Sequence, residues 1–330
     1  MKKLLLLFFM LFTISCEKSL IPSDPIDTKE NNFEFFWQTL DQKYANFQNK
    51  GVDWDSVYQI NRPKVNNSMH DTMLFNLFTN IIVQLKDGHI SLSSSFKSVI
   101  WGWFLRAPAN FNEEVLFNNY LKNDYLTAGP LIYKKLDSIG YIYYGNLSNI
   151  VLEKHLDLVM EYLNNTKGII VDIRNNMGGE VINAERLASR FNPQNKLVSY
   201  WLYKNGPEHD DFTAPIPYYL SASGEDAYTK PVVLLVNRTC FSAANDLTLM
   251  FKALKQVTII GDTTGGGGGI PMHTELPNGW ILGLPTTQTL SLEKENVENG
   301  IIPHILVYFS EQDEQNGIDP LIETALNKLK

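Results

Sequence analysis

An α/β architecture built on a largely parallel sheet is what this 330-residue sequence predicts, from three observations. Gly168 to Ile173 and Val232 to Val236 are short apolar runs rich in β-branched residues, the pattern of strands buried on both faces. Each passes through a brief turn into an amphipathic helix. Repeated strand–turn–helix units argue for a parallel sheet with its ligand site at the carboxyl ends of the strands. The 44% hydrophobic content provides one large core, or a large and a small one.

In chain order, Met1-Lys2-Lys3 and the apolar run Leu4 to Phe12 read as an export signal over residues 1–15, too short to span a bilayer stably. Thr13-Ile14-Ser15-Cys16 resembles the lipobox of bacterial lipoproteins, which makes Cys16 the expected lipidation site and a lipid anchor the expected contact with a membrane. A non-lipidated signal ending at Ser15 is the alternative. Residues 16–31, polar and holding Pro22 and Pro25, read as a tether.

Residues 32–88 have helical periodicity, with Phe33, Phe36, Trp37 and Leu40 on one face and Leu74, Leu77, Phe78, Ile81, Ile82 and Leu85 on another, and predict a small helical subdomain. Gly88 reads as its stop, leaving His89 on a helix-to-strand turn. Residues 89–135 are aromatic and irregular, a connecting region with short strands. Trp101, Trp103 and Phe104 suit a core cluster or a cleft wall. A peptide-binding PDZ module of roughly 80 to 100 residues does not fit there.

Residues 136–330 read as the α/β core. Ile139 to Tyr144 is strand-like, Ile150 to Leu163 an amphipathic helix, and Glu180 to Phe191 a helix with Ile182, Ala184, Leu187, Ala188 and Phe191 inward. Ser242 falls where the strand Val232 to Val236 turns into the next helix. There it either caps the helix or presents a nucleophile beside unpaired backbone N–H groups. After Gly269 come four short strands and a closing helix from Asp319 to Leu329.

The net charge is −8, and no basic run is long enough to track a phosphate backbone, so nucleic acid is not an expected partner. Cys16 and Cys240 are the two cysteines. With Cys16 lipidated, Cys240 has no disulfide partner and reads as a small buried residue. The run Gly265 to Gly269 lacks the Lys-Ser/Thr ending of a phosphate loop, and the remaining histidines have no metal-ligand spacing. No metal or cofactor is implied.

Three stretches taken together, Asp87-Gly88-His89, Asp172 to Gly179, and Ser242-Ala243-Ala244 followed by Gly261 to Gly269, resemble the S41 peptidases, the C-terminal processing and tricorn-core family. The resemblance covers most of Asn32 to Phe309. It implies a crotonase/ClpP-like core, a peptide or protein substrate, and hydrolysis through an acyl-enzyme on Ser242, with an oxyanion hole from the N–H groups of Ala243 and of Gly178 or Gly179. Processing members use a lysine as base, and its position falls here on Gly267. Tricorn-like members use a histidine, and its position falls on His89. The serine that bridges this histidine to a glutamate is here Gly88. Glu298, before the Gly300-Ile301-Ile302-Pro303 turn, matches the family's acidic position, and Asp87 competes with it for orienting His89. Asn245 and His304 depart from the family pattern. The alternative function is a catalytically inactive peptide-binding or scaffold lipoprotein of the cell envelope.

Overall fold

The computed structural model describes residues 25–122 and 124–330. The expected signal, the lipidation site Cys16 and most of the tether lie outside the described residues.

The helices are α1 Lys29–Lys43, α2 Phe47–Lys50, α3 Trp54–Asn61, α4 Asp71–Ile82, α5 Glu113–Val115, α6 Glu153–Leu163, α7 Val181–Ser189, α8 Ala243–Lys252, α9 Glu311–Gln315 and α10 Pro320–Leu329. The strands in chain order are β1 Ser91–Ser93, β2 Ser98–Ile100, β3 Leu126–Ala128, β4 Leu131–Leu136, β5 Ile139–Tyr143, β6 Gly168–Asp172 and β7 Lys196–Tyr203, then β8 Ile216–Leu220, β9 Val232–Val236, β10 Val257–Gly261, β11 Pro271–Glu275, β12 Ile281–Pro285, β13 Thr287–Leu290 and β14 Ile305–Leu306.

The principal sheet has the order β14-β10-β9-β6-β5-β4-β3. Its five strands from β14 to β5 are parallel, and β4 and β3 continue it antiparallel. Side-chain alternation divides the core between its faces. Val232, Leu234 and Val236 pack with α6, α7 and α8, whereas Val233 and Leu235 pack with α10 and Leu116 and Leu121. Burial on both faces is why the strand reads as an unbroken apolar run.

The helical region does not close a core of its own. Phe33, Phe36, Leu74 and Phe78 are fully buried, with Phe36 and Phe78 stacked at 4.1 Å. They share that core with Leu92, Leu282 and Leu284 of an antiparallel sheet ordered β11-β12-β1-β2, and with Trp280 just before β12. Chain from both ends of the sequence therefore builds one layer. Strands β13, β7 and β8 form a third sheet, and β7 and β8 have no counterpart in the sequence reading.

Several expectations need correction. α1 starts at Lys29, where Thr28 Oγ1 accepts the Asn31 N–H, so residues 29–31 belong to the helix rather than the tether. The helical run ends at Lys86 in the left-handed conformation (φ 48°), not at Gly88. Residues 89–135 are more than a connecting region: they contain α5 with its π-helical continuation Leu116–Leu121, and they contribute β3 and most of β4 to the principal sheet. Ile182, expected inward, is 48% exposed. Of the three clustered aromatics only Phe104 is buried; Arg106 lies over Trp101 and Arg238 over Trp103.

A fully buried ion triad closes the end of β6. The Arg174 guanidinium meets Asp172 at 2.6 Å and Asp319 at 2.8 Å, and the Tyr141 hydroxyl donates to Asp172 at 2.7 Å. Asp319 also caps α10 by accepting the N–H groups of Leu321 and Ile322. The loop leaving β6 is thus tied to the last helix of the chain. Arg174→Met would leave two buried carboxylates without their cation and is expected to cost about 3–5 kcal/mol, read as a lowered midpoint in urea unfolding. An unchanged midpoint would show that the triad does not bear on stability.

Candidate active site

The turn after β9 brings Ser242 to the start of α8 with φ 56° and ψ −127°. Such a conformation in a residue other than glycine costs about 1–3 kcal/mol and must be imposed by its surroundings. Three contacts impose it. The Ser242 N–H donates to the Gly266 carbonyl at 2.9 Å, and the Phe241 N–H donates to the Asn176 carbonyl at 3.2 Å. Cys240 is fully buried, and its thiol donates to the Ile173 carbonyl at 3.0 Å. Burial pushes that thiol up to about 12, so Cys240 is a packing residue of the turn.

Ser242 stands at the N-cap position, yet its hydroxyl makes no cap bond. It lies 2.9 Å from Nε2 of His89. His89 sits between Lys86 and β1, and its main-chain N–H donates to Asp87 Oδ1 at 2.8 Å. The other Asp87 oxygen accepts from Tyr44 Oη at 2.9 Å and Asn46 Nδ2 at 3.2 Å. Burial, then the Asp87 charge, then that of Glu298 hold the Tyr44 phenol well above its ordinary range, so it serves as a donor. Burial lowers the pKa of His89; Asp87 pulls it back up, and Lys50 lowers it further. The imidazole is therefore neutral near pH 7 and able to accept a proton. Its Nδ1 is buried without a hydrogen-bond partner among the described residues.

The ring is positioned by packing. Phe241 lies 4.7 Å from it, centroid to centroid, and is stacked on Phe104 at 4.2 Å. Glycines make room for these rings. A Cβ on Gly88 would come 2.7 Å from Phe241 and 2.9 Å from Phe104, and one on Gly267 (φ 79°) would come 2.5 Å from Phe241. A side chain at the position that the resemblance assigns to the processing members' lysine would thus require the Phe241 ring to shift.

Neither carboxylate expected to orient His89 touches its ring. Asp87 holds the histidine's main chain. Glu298 Oε1 lies 3.0 Å from Lys50 Nζ, and Oε2 accepts the Gly268 N–H at 3.1 Å. Burial, then the Asp87 charge, push the Glu298 carboxyl up, opposed by Lys50. Lys50 escaped the sequence reading because a lysine closing a short helix looks like an ordinary solvated C-terminal cation. Asn245 is structural: Oδ1 accepts from Thr264 Oγ1 at 2.6 Å, and Nδ2 donates to the Val297 carbonyl at 3.3 Å. His304 Nδ1 accepts the Ile259 N–H at 2.9 Å.

The expected oxyanion donors separate. The Gly178 N–H is taken by Asn176 Oδ1 at 2.9 Å and that of Ser242 by Gly266. Among the described residues no acceptor takes the N–H of Ala243 or of Gly179. Gly178 instead supplies closeness: its φ is 95°, and a Cβ there would lie 2.6 Å from the Phe241 carbonyl and 2.9 Å from Ser242 Cβ. Among the described residues no group of histidine, cysteine or carboxylate side chains could hold a metal ion.

A serine hydroxyl on a strained strand-to-helix turn, within hydrogen-bond reach of a neutral histidine, is the arrangement of a serine hydrolase. The family model described as peptidase family S41 matches residues 138–307, and one described as the tricorn protease C1 domain matches residues 25–82. The chain belongs to peptidase family S41, a family of serine peptidases. A crystal structure of a Parabacteroides merdae protein, described as a candidate peptidase, is 40% identical with a TM-score of 0.88, covering 92% of this chain and 97% of that one. The carboxy-terminal processing protease CtpA of Bacillus subtilis (strain 168) is 30% identical over 140 residues, 42% of this chain and 28% of that protein. The chain thus matches under a third of that relative's length. Mature CPAF, solved with lactacystin, shares the fold at a TM-score of 0.68 and 13% identity, covering 92% of this chain and 97% of that one. These likenesses agree with the crotonase-like α/β core expected from the sequence.

Lysine chemistry should not be recoverable at position 267. Gly267→Lys in a His89→Ala background is expected to show no reactivity toward a fluorophosphonate. Gly267→Ala alone should lose about 1–3 kcal/mol in thermal or urea unfolding, because a left-handed backbone and the Phe241 ring both oppose a Cβ. Reactivity in the double variant would overturn this reading of the Phe241 contact.

Proposed function

We propose that the protein is an exported serine peptidase that hydrolyses peptide bonds through an acyl-enzyme on Ser242. The single observation that carries this reading is the 2.9 Å contact between His89 Nε2 and Ser242 Oγ, made by a histidine that burial keeps neutral. Ser242 Oγ attacks the scissile carbonyl carbon while its proton passes to Nε2. The negative charge that develops on the carbonyl oxygen is met by the N–H groups of Ala243 and Gly179, the two candidate donors without an acceptor among the described residues. Collapse of the tetrahedral intermediate breaks the C–N bond, and the leaving amine takes the proton from Nε2. Water then enters, giving a proton to Nε2 as its oxygen attacks the acyl carbon; the proton returns to Oγ as the acid product leaves.

Export rests on residues 1–15, and attachment to a membrane on a lipid at Cys16. No helix of the described residues is long and apolar enough to cross a membrane. The unpartnered Nδ1 of His89 favours a second reading, in which the cleft holds peptides without cleaving them.

Fluorophosphonate labelling of the chain from Glu17 onward separates the two readings. Wild type should label, and Ser242→Ala and His89→Ala should both lose the reaction, by a factor on the order of 10³ or more. Absence of labelling in the folded wild type would favour the binding reading.

The pH dependence follows from the direction of the His89 shift. The reactive form is the neutral imidazole, and its pKa is depressed, so reactivity should persist as pH falls below roughly 6.5, the ordinary histidine value, and then disappear. A half-point above that value would contradict the burial argument.

A further inference from the structure

The Lys50 side chain, 7% exposed, bridges the turn that carries His89 and the loop that carries Glu298. Its ammonium donates to the Lys86 carbonyl at 3.1 Å and to Glu298 Oε1 at 3.0 Å. Lys86 opens the turn that bears His89. Glu298 grips the glycine loop twice: its main-chain carbonyl accepts the Gly267 N–H at 3.0 Å, and Oε2 accepts the Gly268 N–H at 3.1 Å. One residue earlier in that loop, the Gly266 carbonyl accepts the Ser242 N–H at 2.9 Å. A continuous path of hydrogen bonds thus runs from the base's turn, through one ammonium, to the nucleophile's amide.

A buried ion pair of this kind has no clear advantage for stability over an apolar pair of the same volume, because desolvation offsets its attraction. Geometry is what it does supply. The catalytic contact joins loops from distant parts of the chain, and a misplacement of about 1 Å between reacting groups can cost about 100-fold in rate. We propose that Lys50 and Glu298 are positioning residues that set the Ser242–His89 contact, with Glu298 acting on the glycine loop rather than on the His89 ring. This deepens the peptidase reading and rests on it for its kinetic consequences. The charged groups around His89 are Asp87 on its own turn, Lys50 from α2 and, beyond Lys50, Glu298; the Tyr44 phenol is neutral.

The proposal orders two variants of the full chain in a way that a glutamate orienting the imidazole would reverse. Glu298→Gln retains an acceptor for Gly268 or for Lys50, and should lower the rate of fluorophosphonate labelling by no more than about tenfold, with the acid limb of its pH profile unmoved. Lys50→Met removes the bridge, and should lower the rate by about tenfold to 100-fold. It should also move the acid limb to higher pH, because the cation that opposes protonation of His89 is gone. A Glu298→Gln loss near 10⁴-fold, the scale seen when a triad carboxylate is neutralised, with Lys50→Met close to wild type, would overturn the proposal. If Lys50→Met does not fold by near-ultraviolet circular dichroism, Lys50→Gln, which keeps one donor, takes its place under the same criteria. Amide hydrogen exchange at Gly267 and Gly268 reads the loop without any chemistry. Lost protection in the Lys50 variant supports the proposal and retained protection refutes it, even if wild type never labels and the peptidase reading fails on its own.

Discussion

Two backbone segments, the loop after β6 and the glycine loop, converge on the turn at Ser242, and the remainder of the site is arranged around their closeness. The Asn176 and Gly266 carbonyls receive successive N–H groups, of Phe241 and Ser242, while Gly178 presses on the same turn from a distance that admits no side chain. Those contacts hold a left-handed serine that the isolated chain would avoid. They also set the hydroxyl free of its usual duty. A serine at a helix start ordinarily bonds to the helix N–H groups, and here the backbone rotation turns it to His89 instead.

Electrostatics around the imidazole follow from burial more than from any single charge. Burial keeps His89 neutral and keeps Tyr44 protonated, so one can accept a proton while the other donates to Asp87. The carboxylates act on the backbone: Asp87 on the amide of His89, Glu298 on the glycine loop. With Nδ1 unpartnered among the described residues, the orientation of the ring comes from Phe241 and from the hydrogen bond to Ser242. The glycines at 88 and 267 are what permit an aromatic ring to fill the space beside the imidazole.

The layer of helices before the core is joined to it by strands from the far end of the chain. β12 pairs with β1 directly after His89, so that histidine is held by a sheet whose other half follows the glycine loop. The glycine loop, His89 and Ser242 are thereby held by elements that are remote in sequence. Lys50 adds a link between them from a helix of four residues, Phe47–Lys50.

Much of this was legible in residue order. The runs at Ile169 to Val171 and Val232 to Val236 are apolar because both sheet faces are buried, and periodicity registers that locally. The strand–turn–helix context of Ser242 is likewise a local statement about backbone and residue type, whereas the roles expected of glycines 178 and 179, and of His89 rather than a lysine at 267, came from the resemblance to the S41 peptidases. The partners of Glu298, the engagement of the Gly178 N–H by Asn176, the packing of Phe241 on His89 and the reach of Lys50 were decided only by the tertiary structure. Lys50 and Glu298 are 248 residues apart, and their contact depends on how sheets built from both ends of the chain dock. A sequence specifies a residue's own conformational preferences and its periodic neighbours; which buried charge meets which is settled by desolvation and packing once the layers have closed.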